Sequence, residues 1–491
     1  MQFAKFNLRV ILWIAAIHSA AFAQPAIDSL LGTLPNTCRM FMQQRGWPSL
    51  SVAVVVDQRT VFSQAFGYAD IDRKIPATTR TIYRVGSITK LFTATMLLQL
   101  AEQGKVCVDD PLVKYLPSYT PKYPANAGPT TLRQLATHTA GLHVDAAQGF
   151  WHYLSNLQWI VSRGKEPIVW GVTKDDIVSS LDKVEIEYTP GTSPHYSNLG
   201  YQLLGIALEQ VAHEPFERYV KSRILDPLRM EDSDFSLDND KLRRFASGYT
   251  YLEPDFQRFN APEWDLAVLK YSGGLFSTAE DIARFISFQF RDQIEDEGAV
   301  LTGDGLRFMR TPQTLRSSQS NDVYGIGWAT YDYEGHQVMG HAGGHWGFFA
   351  KAEVLPDLKL GVVFMTNCSY PQGNLGPEKD LTRIIFDRLI PVLEKKAKET
   401  DAGPRTSDLS VYAGHYALSG EYAHAEIYVR NDTLFFSLAE KPQFREAILP
   451  AGYQQFCFAA DPGKHPLIRF DTDNTGGILG LEFLGFTFRK R

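Results

Sequence analysis

From Gly86 the chain reads Gly-Ser-Ile-Thr-Lys and then runs through Leu91, Phe92, Ala94, Met96, Leu97, Leu98, Leu100 and Ala101 to Gly104. That is an apolar helical stretch closed by a C′ glycine, and burying it requires a large core around it. Residues three apart lie on one helix face, so Lys90 stands one turn from Ser87 with its amine near the hydroxyl. A serine is a weak nucleophile until a neighbouring base takes its proton, and a lysine disfavoured as an ammonium by burial can do so at neutral pH. Backbone N–H groups at the helix start offer positive potential to a developing oxyanion. Two other Ser-x-x-Lys tetrads, Ser162 to Lys165 and Ser180 to Lys183, do not open a long apolar helix, the first being spoiled by Gly164 and Pro167.

The N-terminus carries Lys5 and Arg9, an apolar run from Val10 to Phe22, and the small-x-small ending Ala21-Phe22-Ala23. We read residues 1–23 as a secretory signal peptide, because the run is too short for a comfortable membrane span. The expected mature chain is exported, to a periplasm or the extracellular space, with no stable membrane span. The formal net charge is −6, and loss of Lys5 and Arg9 takes it to −8, which argues against nucleic acid as a partner. Cys38, Cys107, Cys368 and Cys457 lie far apart without a C-x-x-C spacing, so no metal site is indicated, and no cofactor is expected. Asn367-Cys368-Ser369 and Asn431-Asp432-Thr433 fit glycosylation sequons.

Ser51 to Val56 and Val61 to Phe66 read as a hairpin turned at Asp57-Gln58-Arg59. Thr131 to Leu142 reads as a short amphipathic helix entering a glycine turn, with His138 at its end as a base, a ligand or a structural residue. The stretch from His143 to about Lys183 is aromatic and irregular, with Phe150, Trp151, Tyr153, Trp159 and Trp170. It reads as an insertion that walls a substrate cleft or as a surface subdomain packing its own rings.

Pro190-Gly191-Thr192-Ser193-Pro194 delivers Tyr196 and Asn198 into the apolar helical run Leu199 to Val211. Residues two apart in extended backbone point the same way, so this phenol and amide can face one cleft, unless Asn198 simply caps the helix. A tyrosine beside an ammonium is shifted towards phenolate and can exchange protons with a serine. The third stretch, Met339 to Phe349, contains His341-Ala342-Gly343 and His345-Trp346-Gly347. Its glycines permit close backbone approach, and the N–H of Gly344 could complete an oxyanion hole with that of Ser87. Spacing alone does not separate the two H-x-G matches.

The ordered set Ser87-x-x-Lys90, Tyr196-x-Asn198 and His341-x-Gly343 resembles the three motifs of the penicillin-recognising serine hydrolases: class C beta-lactamases, D-alanyl-D-alanine carboxypeptidases, D-aminopeptidases and esterases. The resemblance covers roughly residues 30 to 395 and includes the flanking phrases Pro227-Leu228-Arg229-Met230 and Gly273-Gly274-Leu275-Phe276-Ser277-Thr278. It implies an α+β fold, with an antiparallel sheet flanked by helices, an all-helical subdomain and a cleft between them. By this similarity Ser87 is acylated, Lys90 and Tyr196 share the acid and base roles as a coupled pair, and Asn198 contacts substrate. His341, Gly343, His345 and Trp346 would line the site. Many relatives have lysine where His341 stands, and a cation there helps hold a substrate carboxylate. Relatives often also have glycine at His213.

The implied function is an exported serine hydrolase that cleaves an amide or ester bond through a Ser87 acyl-enzyme, as a peptidase on short peptides with or without D-residues. A carboxylesterase or beta-lactamase is the alternative, and a beta-lactam- or peptide-binding sensor without turnover is the rival of another class. The hydrolase domain is expected over 24–400 and a linker over 401–408. Residues 409–491 form short alternating strands, among them Ala425 to Val429, Leu434 to Leu438 and a single strand over Leu481 to Phe488. They resemble the small lipocalin-like antiparallel barrel that follows the hydrolase domain in some family members.

Overall fold

The computed structural model describes residues 27–490 except 122, 124–126, 143–172, 180, 182–183, 185, 253–256, 261–266, 292–299, 315–322, 346, 369–379, 401–411, 419–423, 431–432, 439–440, 453–454, 459–467, 473–477 and 484–485. The stretches expected as leader (1–23) and linker (401–408), Trp346, the tetrad Ser162 to Lys165, both Ser180 and Lys183 of the other tetrad, and the five aromatics Phe150 to Trp170 therefore lie outside the described residues. The chain divides into two compact units, one built from Leu30–Tyr331 with Gln337–Asp387, the other containing Arg388–Arg491.

The first unit is organised on an eight-stranded sheet in the order β3-β2-β1-β12-β11-β10-β9-β8. Its strands are β1 (Ser49–Val56), β2 (Arg59–Asp70), β3 (Ile75–Pro76), β8 (Val323–Tyr324), β9 (Ala329–Tyr333), β10 (His336–His345), β11 (Phe348–Leu355) and β12 (Leu360–Thr366). The pairings resolved between these strands are antiparallel, including β1 with β2 and β12 and β11 with β10 and β12. The expected hairpin is β1 and β2, whose turn residues Asp57 and Gln58 both take positive φ. Two-stranded ribbons stand apart from the sheet: β4 (Tyr83–Arg84) pairs with β7 (Phe276–Ser277), and β5 (Tyr249–Leu252) with β6 (Gln257–Asn260).

Side chains alternate between the faces of a strand, and here both faces are covered. Ala53, Val55, Ala350, Ala352, Val354, Val363 and Met365 belong to one continuous core with the helix Thr89–Glu102. On the opposite face Phe364 stacks on Trp47, whose ring centroid lies 5.8 Å away at the end of a helix over 27–45. There Glu353 is buried, held by Lys351 at 2.8 Å and by the hydroxyls of Tyr331 and Thr382.

The helix Thr89–Glu102 has no exposed face until its last turn, since every residue from Thr89 to Leu100 is buried. Its polar residues find hydrogen-bond acceptors inside the core: Thr93 donates to the Tyr271 carbonyl (2.6 Å), Thr95 to that of Leu91 (2.7 Å) and Gln99 Nε2 to that of Val300 (2.7 Å), although Gln99 Oε1 has no partner among the described residues. It ends as expected at Gly104, with φ +68°, where Lys105 N–H returns to the Leu100 carbonyl at 2.9 Å. The helix Asn198–Ala212 ends on His213, which takes the left-handed cap conformation (φ 54°) that glycine adopts most easily.

The second unit contains eight strands: β13 (Gly414–Leu418), β14 (His424–Arg430), β15 (Thr433–Leu438), β16 (Lys441–Gly452), β17 (Gln455–Phe458), β18 (Ile468–Thr472), β19 (Ile478–Phe483) and β20 (Phe486–Lys490). Neighbours in sequence pair antiparallel, and β13 also pairs with β20, closing the ring. Its interior is packed with Tyr416, Ile427, Phe436, Ile468, Phe470, Leu481 and Phe488. The stretch Leu481 to Phe488 is two strands rather than one, with Leu481 facing Phe488 across the hairpin. An apolar run conceals its own turn when the turn residues are as apolar as the strands.

Asn367 cannot serve as an exposed glycosylation acceptor, for its side chain is fully buried. Oδ1 accepts from Ser49 Oγ at 2.6 Å, and Nδ2 reaches the carbonyls of Tyr68, Ala69 and Ser247 at 3.2, 3.1 and 2.9 Å. Asn367→Ala would leave those groups unpaired in the interior and is expected to cost about 3 kcal/mol, read as a lower urea midpoint. A loss below about 1 kcal/mol would contradict this account of the network.

Candidate functional site

Ser87 lies in a single 3₁₀ turn, Gly86–Ile88, that leads straight into the helix Thr89–Glu102. Gly86 takes φ +52°, and Thr89 Oγ1 ties the turn by donating to the Gly86 carbonyl (2.7 Å) while accepting from Leu275 N–H (3.1 Å). One turn on, Lys90 is wholly buried. Its Nζ lies 3.1 Å from Ser87 Oγ, 2.7 Å from Asn198 Oδ1 and 2.9 Å from the Ser272 carbonyl.

These partners fit both protonation states of the lysine. As an ammonium, Nζ donates one N–H to each oxygen. As an amine it keeps the two bonds to the acceptor-only oxygens of Asn198 and Ser272, and its lone pair faces the Ser87 hydroxyl. A proton can therefore pass along the Ser87–Lys90 axis without moving a heavy atom.

Tyr196 and Asn198 arrive together, as their spacing predicts. Ser197, in extended conformation, caps the helix Asn198–Ala212, its Oγ accepting from Gly200 N–H at 2.9 Å. That leaves Asn198 to present Oδ1 to Lys90 instead of capping. The Tyr196 ring centroid stands 4.9 Å from Lys90 Nζ and 6.3 Å from the His341 ring.

The structure separates the two H-x-G matches. Gly343 lies against the Ser87 turn so closely that a Cβ there would fall 1.8 Å from the Val85 carbonyl oxygen and 2.8 Å from Ser87 N. A Cβ on Gly86 would fall 3.1 Å from Gly344 N, so the backbones of residues 86–87 and 343–344 run side by side. Gly347, by contrast, forms the turn between β10 and β11 with φ +80°. His345 contributes its backbone to the end of β10, and its side chain, like Trp346, is outside the described residues.

His341 is buried, and Nδ1 is 2.8 Å from the Ala342 carbonyl, so it is the protonated nitrogen and Nε2 is left as an acceptor. Burial first, and the Lys90 charge second, push its pKa down to about 3. It is therefore held as a neutral imidazole. Sequence reading left His138 open; the structure brings it into the site, 4.4 Å from Tyr196 between ring centroids. Burial, then Lys90 and then His341 hold His138 well below the usual histidine range.

Among the described residues no three His, Cys, Asp or Glu side chains converge to hold a metal ion, and no helix is long and apolar enough to cross a membrane. A cavity of about 590 Å³ lined by Lys174, Glu217, Lys221, Asp234, Lys270 and Tyr271 includes none of the motif residues. Its lysines are tied to Glu209, Asp226 and Glu217.

A family model described as beta-lactamase matches residues 34–385. The human protein beta-lactamase-like 1 is 26% identical over 416 residues, covering 80% of this chain and 75% of that one. Protein flp of Staphylococcus aureus is 25% identical over 326 residues, covering 66% of this chain, which spans only 60% of its length. Two solved structures share the fold. The octameric penicillin-binding protein homologue from Pyrococcus abyssi aligns with a TM-score of 0.59 at 22% identity, over 94% of this chain and 99% of that one. The beta-lactamase/D-alanine carboxypeptidase from Yersinia pestis, complexed with citrate, aligns with a TM-score of 0.58 at 22% identity, over 77% and 99%.

Two expectations follow from this geometry. Gly343→Ala should lower the rate of covalent labelling at Ser87 by at least about 100-fold, since the turn must shift, whereas Gly344→Ala, with nothing within 4 Å of its added Cβ, should stay within about 5-fold of the parent. Equal effects would refute the close approach. His138 and His341 are both depressed on folding, so the unfolded chain binds protons that the folded chain does not. This part of the stability should be full about one unit above pH 6.5 and fall as pH is lowered through it, and His341→Gln should reduce the slope by about half a proton at pH 6.5, rising to about one proton near pH 5. An unchanged slope in urea titrations would show that His341 is not held neutral.

Proposed function

Because the chain belongs to the beta-lactamase family, we propose that it is an exported serine hydrolase, periplasmic or extracellular, that cleaves an amide or ester bond through a Ser87 acyl-enzyme. We propose a short peptide, D-residues included, as the substrate. The carrying observation is the buried Lys90 amine, within hydrogen-bonding distance of Ser87 Oγ, Asn198 Oδ1 and the Ser272 carbonyl.

In this reading Ser87 Oγ attacks the scissile carbonyl as its proton passes to the Lys90–Tyr196 pair, which then gives a proton to the leaving group. The backbone N–H groups of Ser87 and Gly344 receive the oxyanion. Asn198 orients Lys90 and the substrate amide. Water then repeats the sequence on the acyl-enzyme, with the same pair as base and then acid. His341, Gly343, His345 and Trp346 line the substrate's path.

One observation favours a second reading. The neutral His341 supplies no cation for a substrate carboxylate, which supports an ester or other acyl group without a free carboxylate near the scissile bond, as in a carboxylesterase. For the C-terminal barrel we propose a lipocalin-like accessory domain. Its eight antiparallel strands in sequential order support that likeness, and its aromatic interior supports a structural role over ligand carriage.

The test is intact-mass spectrometry of the full chain with a fluorophosphonate and with a beta-lactam, beside Ser87→Ala. A stoichiometric adduct absent from the variant is expected, with the beta-lactam adduct decaying over minutes as the acyl-enzyme turns over. An adduct that persists for hours would point to the sensor, and labelling that survives Ser87→Ala would overturn the mechanism. Release of the amine from short D- or L-peptides, set against acyl esters, then separates peptidase from esterase.

A further inference from the structure

Tyr196 sits on an irregular segment, residues 193–197, between a turn and the first residue of the helix Asn198–Ala212. It has no strand or helix of its own to hold it. Three consecutive residues of that segment instead make contact with one residue more than fifty positions upstream. The His195 N–H donates to the His138 carbonyl at 2.7 Å. The Tyr196 ring lies on the His138 imidazole, 4.4 Å between centroids and tilted by 33°. The Ser197 N–H donates to His138 Nδ1 at 3.0 Å.

We infer that His138 is a positioning residue, which fixes the phenol of Tyr196 beside Lys90 by gripping the backbone on either side of it and backing the ring between. Its consequence for turnover rests on the hydrolase reading; its grip on the segment does not.

The local chemistry fits that task. His138 takes a left-handed backbone conformation (φ 58°), which lets one residue direct its carbonyl to His195 and its side chain to Ser197. The turn is held from outside by Gly191 N–H donating to the Thr139 carbonyl at 2.7 Å. Since Ser197 donates to Nδ1, that nitrogen carries no proton, and the neutral ring holds its proton on Nε2. Protonation would set two donors against each other. The groups around the ring oppose it: the rings of Tyr196, Tyr201 and Tyr324, the last two 5.1 and 5.0 Å away, by excluding water, and Lys90 by its charge. The imidazole thus acts as a fixed acceptor and a flat wall, and transfers no proton to substrate.

The test uses the full chain with His138→Leu, which removes the acceptor, and His138→Asn, whose Oδ1 stands where Nδ1 does and whose backbone tolerates positive φ. In His138→Leu the amides of residues 195–198 should exchange with deuterium at least about 10-fold faster, with those of Leu91 to Leu100 unchanged. Its kcat per titrated Ser87 should fall about 100-fold with KM within about 3-fold, and His138→Asn should recover at least about 10-fold of that loss.

Unchanged exchange at 195–198 in folded His138→Leu, or an equal loss of kcat in both variants, would overturn the inference. If His138→Leu does not fold, His138→Gln, whose amide overshoots the Nδ1 position, serves in both arms. A parent chain that is not labelled at Ser87 would sink the hydrolase reading, and the exchange measurement would still decide whether His138 holds the segment.

Discussion

A lysine amine in the interior of a protein is tolerated only where acceptors surround it, and the first unit is arranged to supply them to Lys90. The three oxygens around Nζ come from three separate segments: the Ser87 turn, the start of the helix Asn198–Ala212, and the loop at Ser272. Each must be fixed to within a few tenths of an ångström for the lysine to stay buried. Much of the surrounding polar structure serves that end. Thr89 joins the Ser87 turn to Leu275, Thr93 holds the Tyr271 carbonyl, and the Tyr201 hydroxyl donates to the Ala136 carbonyl at 2.6 Å.

The same requirement explains why the helix bearing Ser87 is buried on every side. A helix with a wet face would let water reach Nζ and loosen the geometry. Here the sheet covers one side, while the helices Asn198–Ala212, Lys270–Gly273 and Gly303–Arg310 pack on the others. The turn itself is set by β10, whose Gly343 admits the Val85–Ser87 backbone at a distance no side chain would allow. Two interior demands, an amine needing oxygens and a turn needing a bare strand, thus bring four distant stretches of sequence to one point.

What could be read from the sequence divides along the same line. Ser87 with Lys90, and Tyr196 with Asn198, were legible because helical and extended spacings place near neighbours on one side. The choice of His341-x-Gly343 over His345-x-Gly347 came from the family resemblance and not from spacing, since physically it depends on which glycine lies against the Val85 carbonyl and the Ser87 turn. His138 was left open because its partners lie far along the chain and its left-handed backbone is unusual for histidine. In the barrel, β16 escaped notice: Pro442 and Pro450 interrupt it and Lys441, Arg445 and Glu446 charge it, so it lacks the apolar alternation of its neighbours.

The electrostatic character of the site follows from having a single cation at its centre. His138 and His341 both lie within range of the Lys90 charge and both are buried, so the lysine's presence is itself a reason for their neutrality. Negative charge that develops on an oxyanion or a phenolate beside Ser87 meets that one cation and the backbone N–H groups, and nothing else charged among these residues competes for it. A substrate carboxylate would compete. It would draw on the Lys90 charge, with no second cation at position 341 to hold it aside. With a neutral imidazole at position 341 on β10, any anion that entered among these residues would meet the Lys90 charge alone.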